Sequence, residues 1–225
     1  MNSTPVENAI GLLFSGGLDS CILLGHLLRA GRGVQPFYVS AGLAWERDER
    51  AAAERFLAAI APPGAAPLVV LEQPAADLYG MHWSLTGRGV PDAASDDRAV
   101  YLPGRNALLL VKPALWCALH GIEELALGVL AGNPFADATD DFLQPLAAAL
   151  GRAVGRPLRF VRPLGQLGKG GAMRLGAGLP LELSFSCIAP RGGLHCGRCN
   201  KCAERRAAFA AVGIADPTRY AAVRP

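Results

Sequence analysis

Near its amino end the sequence reads Ala9-Ile10-Gly11-Leu12-Leu13-Phe14-Ser15-Gly16-Gly17-Leu18-Asp19-Ser20, and this stretch decides the fold. The apolar run 9–14 predicts a buried strand, and the apolar spacing over 18–30 predicts a helix. Two adjacent glycines separate them, and glycine allows positive φ and a close approach of the backbone to a ligand. Backbone amides and the dipole at a helix start favour an anion. The stretch therefore predicts a phosphate-binding strand–turn–helix.

Outward from this turn, apolar runs alternate with segments of helical spacing. This alternation indicates βαβ units, so we predict an α/β fold: a Rossmann-like five-stranded parallel sheet with helices on both faces and a small C-terminal extension that contains four of the cysteines. A long loop is expected over 80–97, and Pro113 is expected to kink or split its helix. The remaining predicted strands are 34–39, 67–71, 125–130 and 158–161. The remaining predicted helices are 45–60 (ended by Pro62 and Pro63), 102–120, 140–154, 170–176 and 201–212.

Composition favours a globular protein. The chain has 225 residues, of which 51% are hydrophobic and 18% charged, and this excludes a disordered chain. Since no apolar run approaches the roughly 18–20 residues of a membrane span, and since residues 1–10 lack a signal-peptide pattern, we expect a soluble cytoplasmic protein. The predicted division is a core over 1–165 and a cysteine-bearing extension over 166–225.

Charge is distributed unevenly along the chain. Residues 1–150 carry a net charge of −7, and residues 151–225 carry +10. This asymmetry indicates that the C-terminal third meets an anion, such as nucleotide phosphates, an acidic substrate or tRNA. A solvated basic face or a dimer contact would give the same pattern.

Four of the six cysteines lie within 16 positions, at Cys187, Cys196, Cys199 and Cys202. In a chain without a secretion signal, this crowding indicates a metal site, and four thiolates close a tetrahedral, structural Zn²⁺ site. An iron–sulfur cluster is the alternative, although the run lacks the C-x₃-C-P continuation of bacterial ferredoxins. His195 could replace one cysteine as a ligand. The two lone cysteines, Cys21 and Cys117, are predicted core residues.

The glycine-rich turn resembles the pyrophosphate loop of the N-type ATP pyrophosphatases, the PP-loop superfamily. The resemblance implies that ATP is cleaved between its α- and β-phosphates, that a carboxylate or carbonyl oxygen is adenylated, and that the loop holds pyrophosphate. Asp19 could also hold Mg²⁺ or a water of its shell. The expected ATP-binding residues of this loop are Ser15, Gly16, Gly17, Leu18, Asp19 and Ser20.

Further motifs resemble the 7-cyano-7-deazaguanine synthase family within that superfamily. They are Tyr101-Leu102-Pro103-Gly104-Arg105-Asn106, then Arg162-Pro163-Leu164 with Lys169, and finally the run 179–187 with the cysteine cluster. They occur in the family's order and cover most of the chain. The resemblance implies an ATP-dependent ligase that adenylates 7-carboxy-7-deazaguanine and, with ammonia, forms first an amide and then a nitrile. It also implies a homodimer.

Single residues around these motifs are candidates for catalysis and substrate binding. With Asp19, we expect Arg105 to contact the α-phosphate or the substrate carboxylate and Lys169 to neutralise phosphate charge; a salt bridge and a solvated lysine are the structural alternatives. Asn106 could cap its helix or bind nucleotide. Asp92 and Asp137 could accept hydrogen bonds from a purine-like amidine, or be ordinary loop aspartates. Of the tryptophans, Trp83 is the best candidate for stacking on a base.

The chain also departs from the family pattern. The run 133–139 lacks the family's Cys and Arg but keeps Asp137, Trp45-Glu46-Arg47 replaces Gln-Arg-His, and Phe185 replaces Trp. These changes favour a divergent paralogue, with a different acid or acceptor as one alternative: an amide-forming or a protein-modifying deazaguanine ligase. A second alternative is tRNA thiolation with a cysteine-bound iron–sulfur cluster. A third is a non-enzymatic module that binds nucleotide or nucleic acid.

Overall fold

A five-stranded parallel sheet lies at the centre of the computed structural model, which describes residues 8–60 and 65–221. The strand order is β3-β2-β1-β4-β5, and every neighbouring pair is parallel, as predicted. The strands are β1 (Ala9–Leu13), β2 (Gly33–Ser40), β3 (Val69–Glu72), β4 (Glu124–Ala126) and β5 (Arg159–Val161).

Eight helices accompany these strands in the described part of the chain, on both faces of the sheet. One apolar cluster joins β1 to α1, α2, α7 and α8, and a second joins the other face to α5 and α6. No helix within residues 8–60 and 65–221 has both the length and the apolar content that a membrane span requires. The helices are α1 (Leu18–Arg29), α2 (Glu46–Ile60), α3 (Ala76–Tyr79), α4 (Trp83–Thr86), α5 (Arg105–Leu119), α6 (Asp140–Val154), α7 (Lys169–Leu175) and α8 (Asn200–Ala210).

The predicted bounds of β4 and α5 need correction. The strand ends at Ala126 and not at residue 130. Leu127 still donates a hydrogen bond to the Val161 carbonyl at 2.9 Å, but β5 ends at Val161, and Leu127 and Val129 pack against the cluster under α5 and α6. The apolar character of Leu127 and Val129 therefore indicates that they pack against this cluster, and it does not indicate that they belong to a strand. Helix α5 begins only at Arg105, since Gly104 before it has a φ of +73°. Pro113 does not split α5, which continues through it to Leu119.

The sequence suggested a long loop over 80–97, but this segment is not a continuous loop. Helix α4 forms within it, and His82 caps this helix by accepting a hydrogen bond from the Ser84 backbone amide at 3.3 Å. Helix α3 forms just before it. A single helical turn is too short to produce a recognisable apolar period, so the pattern could not reveal either helix.

The cysteine-bearing extension packs against the first strand and helix of the core. Met173, Leu181 and Phe209 lie in the same apolar cluster as β1 and α1. The boundary at residue 165 stays a prediction. The helix stop at Pro62 and Pro63 lies outside the described residues.

Candidate active site and metal centre

A cavity of about 330 Å³ opens at the carboxyl ends of β1, β2 and β4. Its floor includes Phe14 after β1, Tyr38 in β2 and Leu127 after β4. The strand order reverses between β1 and β4, and open parallel sheets bind ligands at such a switch point. The topology therefore places this cavity where a nucleotide-sized ligand is expected.

The glycine-rich turn forms one wall of this cavity. The Gly17 amide donates to the Ser15 hydroxyl at 3.2 Å, and the Ser20 hydroxyl donates to the Gly17 carbonyl at 3.0 Å. Leu18 and Asp19 also line the cavity. Gly16 turns the chain with a φ of +75° and packs against the backbone of Ala53 in α2. The turn therefore packs against α2 on one side and lines the cavity on the other.

Gly16→Ala should destabilise the protein more than Gly31→Ala. Both glycines have positive φ, +75° and +71°, but an added Cβ at Gly16 would lie 2.9 Å from Ala53 backbone atoms, whereas nothing lies within 4 Å at Gly31. We expect a loss of about 1–2 kcal/mol from φ alone in Gly31→Ala and a larger loss in Gly16→Ala. Urea unfolding measures both. Equal losses would show that the packing against Ala53 contributes nothing.

Four charged side chains form a continuous chain along the cavity wall. Lys169 Nζ lies 3.0 and 2.9 Å from the two carboxylate oxygens of Asp19. The same nitrogen lies 2.7 Å from Glu204 Oε1, and Lys201 Nζ lies 2.6 Å from Glu204 Oε2. All four side chains line the cavity. The predicted residues Asp19 and Lys169 are therefore brought together, and α8 adds two charged residues to them.

Burial and mutual attraction set the pKa values in this chain. Burial raises the pKa of Asp19, and the charge of Lys169 counteracts part of that rise. Burial alone would lower the pKa of Lys169, but the neighbouring Asp19 and Glu204 outweigh it and raise this pKa. Burial also opposes the charge of Glu204, yet Lys169 and Lys201 hold its pKa at about 2. The Lys169 ammonium thus keeps its proton at the cavity wall.

A second cavity of about 220 Å³ adjoins the first. Two aromatic pairs line it: Trp45 stacks on Trp83 with ring centroids 5.8 Å apart, and Tyr101 stacks on Phe135 at 4.9 Å. Flat aromatic walls suit a flat heterocyclic ligand. Trp83 is thus located where the sequence suggested a stacking residue.

Asp137 and Asn106 form one hydrogen-bonded unit in this second cavity. The buried Asp137 carboxylate accepts from the Asn106 backbone amide at 3.0 Å and from its side-chain amide at 3.1 Å. Asp137 therefore caps the start of α5, a function that the sequence analysis had considered for Asn106 itself. Both residues also line the cavity, so capping leaves them accessible to a ligand.

Arg105 lies where the two cavities meet and lines both of them. Its Nε is buried and has no hydrogen-bond partner within the described part of the chain. A buried guanidinium donor without a partner costs free energy unless a ligand satisfies it. The arrangement therefore fits a bound anion at the junction, and no salt bridge involving Arg105 is formed by the described residues.

Asp92 is not brought to this site. The side chain is exposed, and its carboxylate accepts from the Ala94 amide at 3.0 Å and the Ser95 hydroxyl at 2.9 Å. These bonds lower the pKa of Asp92 and close a local turn. Asp92 lines neither of the two cavities, because the loop between Gly89 and Tyr101 directs it to solvent.

A half-buried carboxyl group that the sequence analysis missed also lines the first cavity. Glu49 accepts a hydrogen bond from the Tyr38 hydroxyl at 2.8 Å. Burial raises the pKa of Glu49 to about 7, although Arg105 and the bond from Tyr38 act in the opposite direction. Its position in the first turns of α2 gave no signal, since acidic residues are common at helix starts.

The four cysteine sulfurs form a compact, buried cluster within 4.8 Å of one another. Cys187 and Cys199 sulfurs are 3.9 Å apart, as are those of Cys196 and Cys202. A tetrahedral zinc site with Zn–S bonds of about 2.3 Å has sulfur–sulfur edges of about 3.8 Å. These residues therefore fit a tetrahedral metal ion.

Backbone amides further support thiolates at this cluster. The amides of Ala189 and Cys196 donate to Cys187 Sγ at 3.4 and 3.2 Å. Those of Arg198 and Cys199 donate to Cys196 Sγ at 3.4 and 3.3 Å. Such donors stabilise negative charge on sulfur. His195 instead accepts from the Ser186 amide through Nε2 at 3.1 Å, so it stands beside the cluster.

Comparisons with known proteins agree with this geometry. The profile of the family described as Queuosine biosynthesis protein QueC matches residues 9–213. The chain is 34% identical to a 7-cyano-7-deazaguanine synthase of Methanothrix thermoacetophila, over 92% of this chain and 96% of that protein. It is 33% identical to the enzyme of that name from Anaeromyxobacter dehalogenans, over 93% and 94% of the two chains.

A solved structure shares the fold at much lower identity. It is a 4-thiouridine synthetase–RNA complex with bound ATP, which matches with a TM-score of 0.50 at 16% identity, over 92% of this chain and 51% of the other. This likeness concerns the arrangement of strands and helices alone. The profile match and the relatives at 33–34% identity, by contrast, cover nearly the whole sequence. On that basis the chain belongs to the 7-cyano-7-deazaguanine synthase (QueC) family.

Proposed function

We propose that the protein is an ATP-dependent carbon–nitrogen ligase that adenylates the carboxylate of 7-carboxy-7-deazaguanine or a close analogue. With ammonia it forms an amide and, after a second activation of the amide oxygen, a nitrile; each activation releases AMP and pyrophosphate. The observation that carries the proposal is the pair of adjoining cavities. The glycine-rich turn (residues 15–20, hereafter the phosphate loop) forms a wall of one cavity, and stacked aromatic rings form the walls of the other. Arg105 lies between the two cavities.

The residues divide naturally between the two substrates. The loop residues Ser15, Gly17 and Ser20 would bind the β- and γ-phosphates of ATP through amides and hydroxyls. The paired aromatic rings would hold the deazapurine, with Asp137 accepting from its amidine nitrogens. Arg105, with its free Nε, would bind the α-phosphate or the carboxylate and stabilise charge as the oxygen–phosphorus bond forms.

Two metal ions belong to this proposal. Asp19 is the carboxylate of the phosphate loop, and Mg²⁺ commonly binds through one or two carboxylates together with substrate phosphates. When bound there, Mg²⁺ would neutralise phosphate charge. The four cysteines would hold Zn²⁺ in a closed, structural site, and reduced thiolates fit a cytoplasmic protein. A homodimer is also proposed, on the family resemblance alone.

A substrate panel analysed by mass spectrometry tests the proposal. Purified protein, ATP and Mg²⁺ are incubated with 7-carboxy-7-deazaguanine, with and without ammonium. We expect AMP, pyrophosphate and the nitrile only when both the acid and ammonium are present. An amide without nitrile would indicate an enzyme of the first half-reaction. Absence of AMP would contradict the proposed acid and direct the search to other acids and to protein acceptors.

The changed loops keep one alternative open within this chemistry. Trp45 replaces a polar family residue, and it stacks on Trp83 in the second cavity. Because these residues line the space proposed for the deazapurine, the same adenylation could serve another acid or a protein amine. For tRNA thiolation, a colourless protein that contains zinc and no iron would count against the cysteine-bound iron–sulfur cluster.

A further inference from the structure

We propose that Lys201 binds the α-phosphate and the substrate carboxylate where the two cavities meet, and that Glu204 is the positioning residue that holds Lys201 and Lys169 in place. This inference rests on the proposed adenylation. It adds a second cation, carried by the helix of the cysteine cluster, to the site that Arg105 occupies.

The composition of the chain singles out Lys201. The sequence contains 19 arginines and only three lysines, at positions 112, 169 and 201. Two of these three line the first cavity, and both contact the same glutamate, Glu204. An ammonium is a compact point charge with rotatable donors, whereas a guanidinium is a wide planar fork. A lysine at both cavity positions, in a chain that otherwise uses arginine, points to a requirement for the smaller cation.

The position of Lys201 is also distinctive. Of the described residues that line the two cavities, six line both, and only Arg105 and Lys201 among them are cationic. The six are Trp45, Arg105, Asn106, Val129, Ile188 and Lys201. Lys169 by contrast lines the first cavity alone, beside the phosphate loop. Lys169 therefore lies beside the glycine-rich turn, where the phosphates are proposed to bind, and Lys201 lies at the junction of the two cavities.

Two anions must meet at this junction during adenylation. A carboxylate oxygen attacks the α-phosphorus, the bond from that phosphorus to the bridging oxygen breaks, and its electron pair leaves with pyrophosphate. Both reactants are negative, so their approach is repulsive unless cations lie between them. Lys201 and Arg105 would lie on either side of this meeting point. Lys201 is held at this place by its contact to the Glu204 carboxylate at 2.6 Å.

Glu204 explains how the two lysines stay apart and oriented. Its two carboxylate oxygens each hold one ammonium, at 2.7 Å for Lys169 and 2.6 Å for Lys201. Lys201 lies between Cys199 and Cys202, and α8 begins at Asn200. The cysteine cluster therefore fixes the start of the helix that carries both Lys201 and Glu204. In this arrangement the cysteine cluster supports the junction directly, in addition to stabilising the fold.

The test compares Lys201→Met with Lys112→Met, an exposed lysine that lines neither cavity. The probes are AMP, which carries only the α-phosphate, and inorganic pyrophosphate, each titrated by calorimetry in the presence of Mg²⁺. We expect Lys201→Met to weaken AMP binding about tenfold and to leave pyrophosphate binding unchanged, because a charge-assisted contact is lost at the α-phosphate alone. Lys169→Met should show the opposite pattern.

Turnover provides a second readout. We expect Lys201→Met to lower kcat for AMP release about 10²–10³-fold, Lys201→Arg to recover part of it, and Glu204→Gln to lower kcat more than it raises KM. Zinc content and thermal unfolding verify that each variant is folded. Equal AMP affinity in wild type and Lys201→Met overturns the inference. Failure of the wild type to bind either probe would instead contradict the proposed function.

Discussion

Cys199→Ser is expected to yield insoluble protein, and the small soluble fraction should show no cooperative thermal transition. The substitution removes one of four buried thiolates whose sulfurs fit a tetrahedral metal ion. A hydroxyl is a poor ligand for Zn²⁺, so the remaining three cysteines would be left with an incomplete site.

The expected size of this effect follows from comparing two free energies. Structural zinc sites bind their ion with about 10–16 kcal/mol, and that binding is coupled to folding. A domain of ordinary stability has only about 5–15 kcal/mol in total. If the cluster holds zinc as proposed, loss of the ion would remove as much free energy as the whole fold commonly possesses. The apolar cluster around Cys187, Cys199 and Cys202 also includes Trp45 and Phe185, so the damage would reach the cavity walls.

Cys117→Ser is the matched control. Cys117 is equally buried but lies in α5, away from the cluster, and burial raises the pKa of its thiol to about 12. Burying a hydroxyl there costs about 1–3 kcal/mol, which a folded protein tolerates. We expect soluble Cys117→Ser with unchanged zinc content. Recovery of folded, zinc-free and active Cys199→Ser would contradict the structural role of the metal site.

The parts of the molecule that sequence predicts best are those encoded locally. The run 9–20 contains strand, turn and helix start in one stretch, and the structure places β1 at Ala9–Leu13 and α1 at Leu18–Arg29. The cysteine spacing is equally local, and the four sulfurs do converge. Helix α6 spans Asp140–Val154, as predicted, because its buried residues Leu143, Ala147 and Gly151 recur every four positions. Helix α8 agrees with prediction to within two residues at either end.

The walls of the cavities could not be predicted in the same way, because they combine residues from distant segments. Lys169 lies 150 positions from Asp19 but contacts both of its oxygens. Trp45, just before α2, stacks on Trp83 in α4. The sequence pattern had predicted a loop where α4 forms, so this contact could not be foreseen. The placement of Asp92 could not be predicted for a related reason: a loop aspartate can face the site or close its own turn, and the turn geometry decides between the two.

Glu204 and Lys201 carried a signal that the sequence analysis did not use. The two residues are three positions apart, a spacing that brings side chains together on one helix face. Lysine is scarce in this chain, which has 19 arginines and three lysines. This scarcity was the available indication that position 201 matters.

Asp19→Ala and Asp19→Asn are both expected to lower AMP formation at least about 10³-fold while leaving the fold intact. Asp19 lies in the first turn of α1 with its carboxylate directed into the cavity, so no core contact is lost. Removing it would deprive the proposed phosphate site of its carboxylate for Mg²⁺. It would also release Lys169, which then pairs with Glu204 alone. Asn keeps the shape but not the charge, so it should be as inactive as Ala.

Asp141→Ala separates this loss from a general effect on helix stability. Asp141 also lies in the first turn of its helix, α6, but it is exposed and lines neither cavity. Loss of a first-turn carboxylate costs about 0.3–1 kcal/mol through the helix dipole, and we expect a loss of this size for Asp141→Ala in thermal unfolding. Asp19→Ala has the same dipole loss and also loses the ion pair with Lys169. Only the Asp19 variants should lose AMP formation, measured as AMP released per minute at saturating ATP. If Asp19→Ala instead retains turnover within tenfold of the wild type, the carboxylate is not part of the reaction. In that case the ammonium groups of Lys169 and Lys201, held by Glu204, would position the phosphates without it.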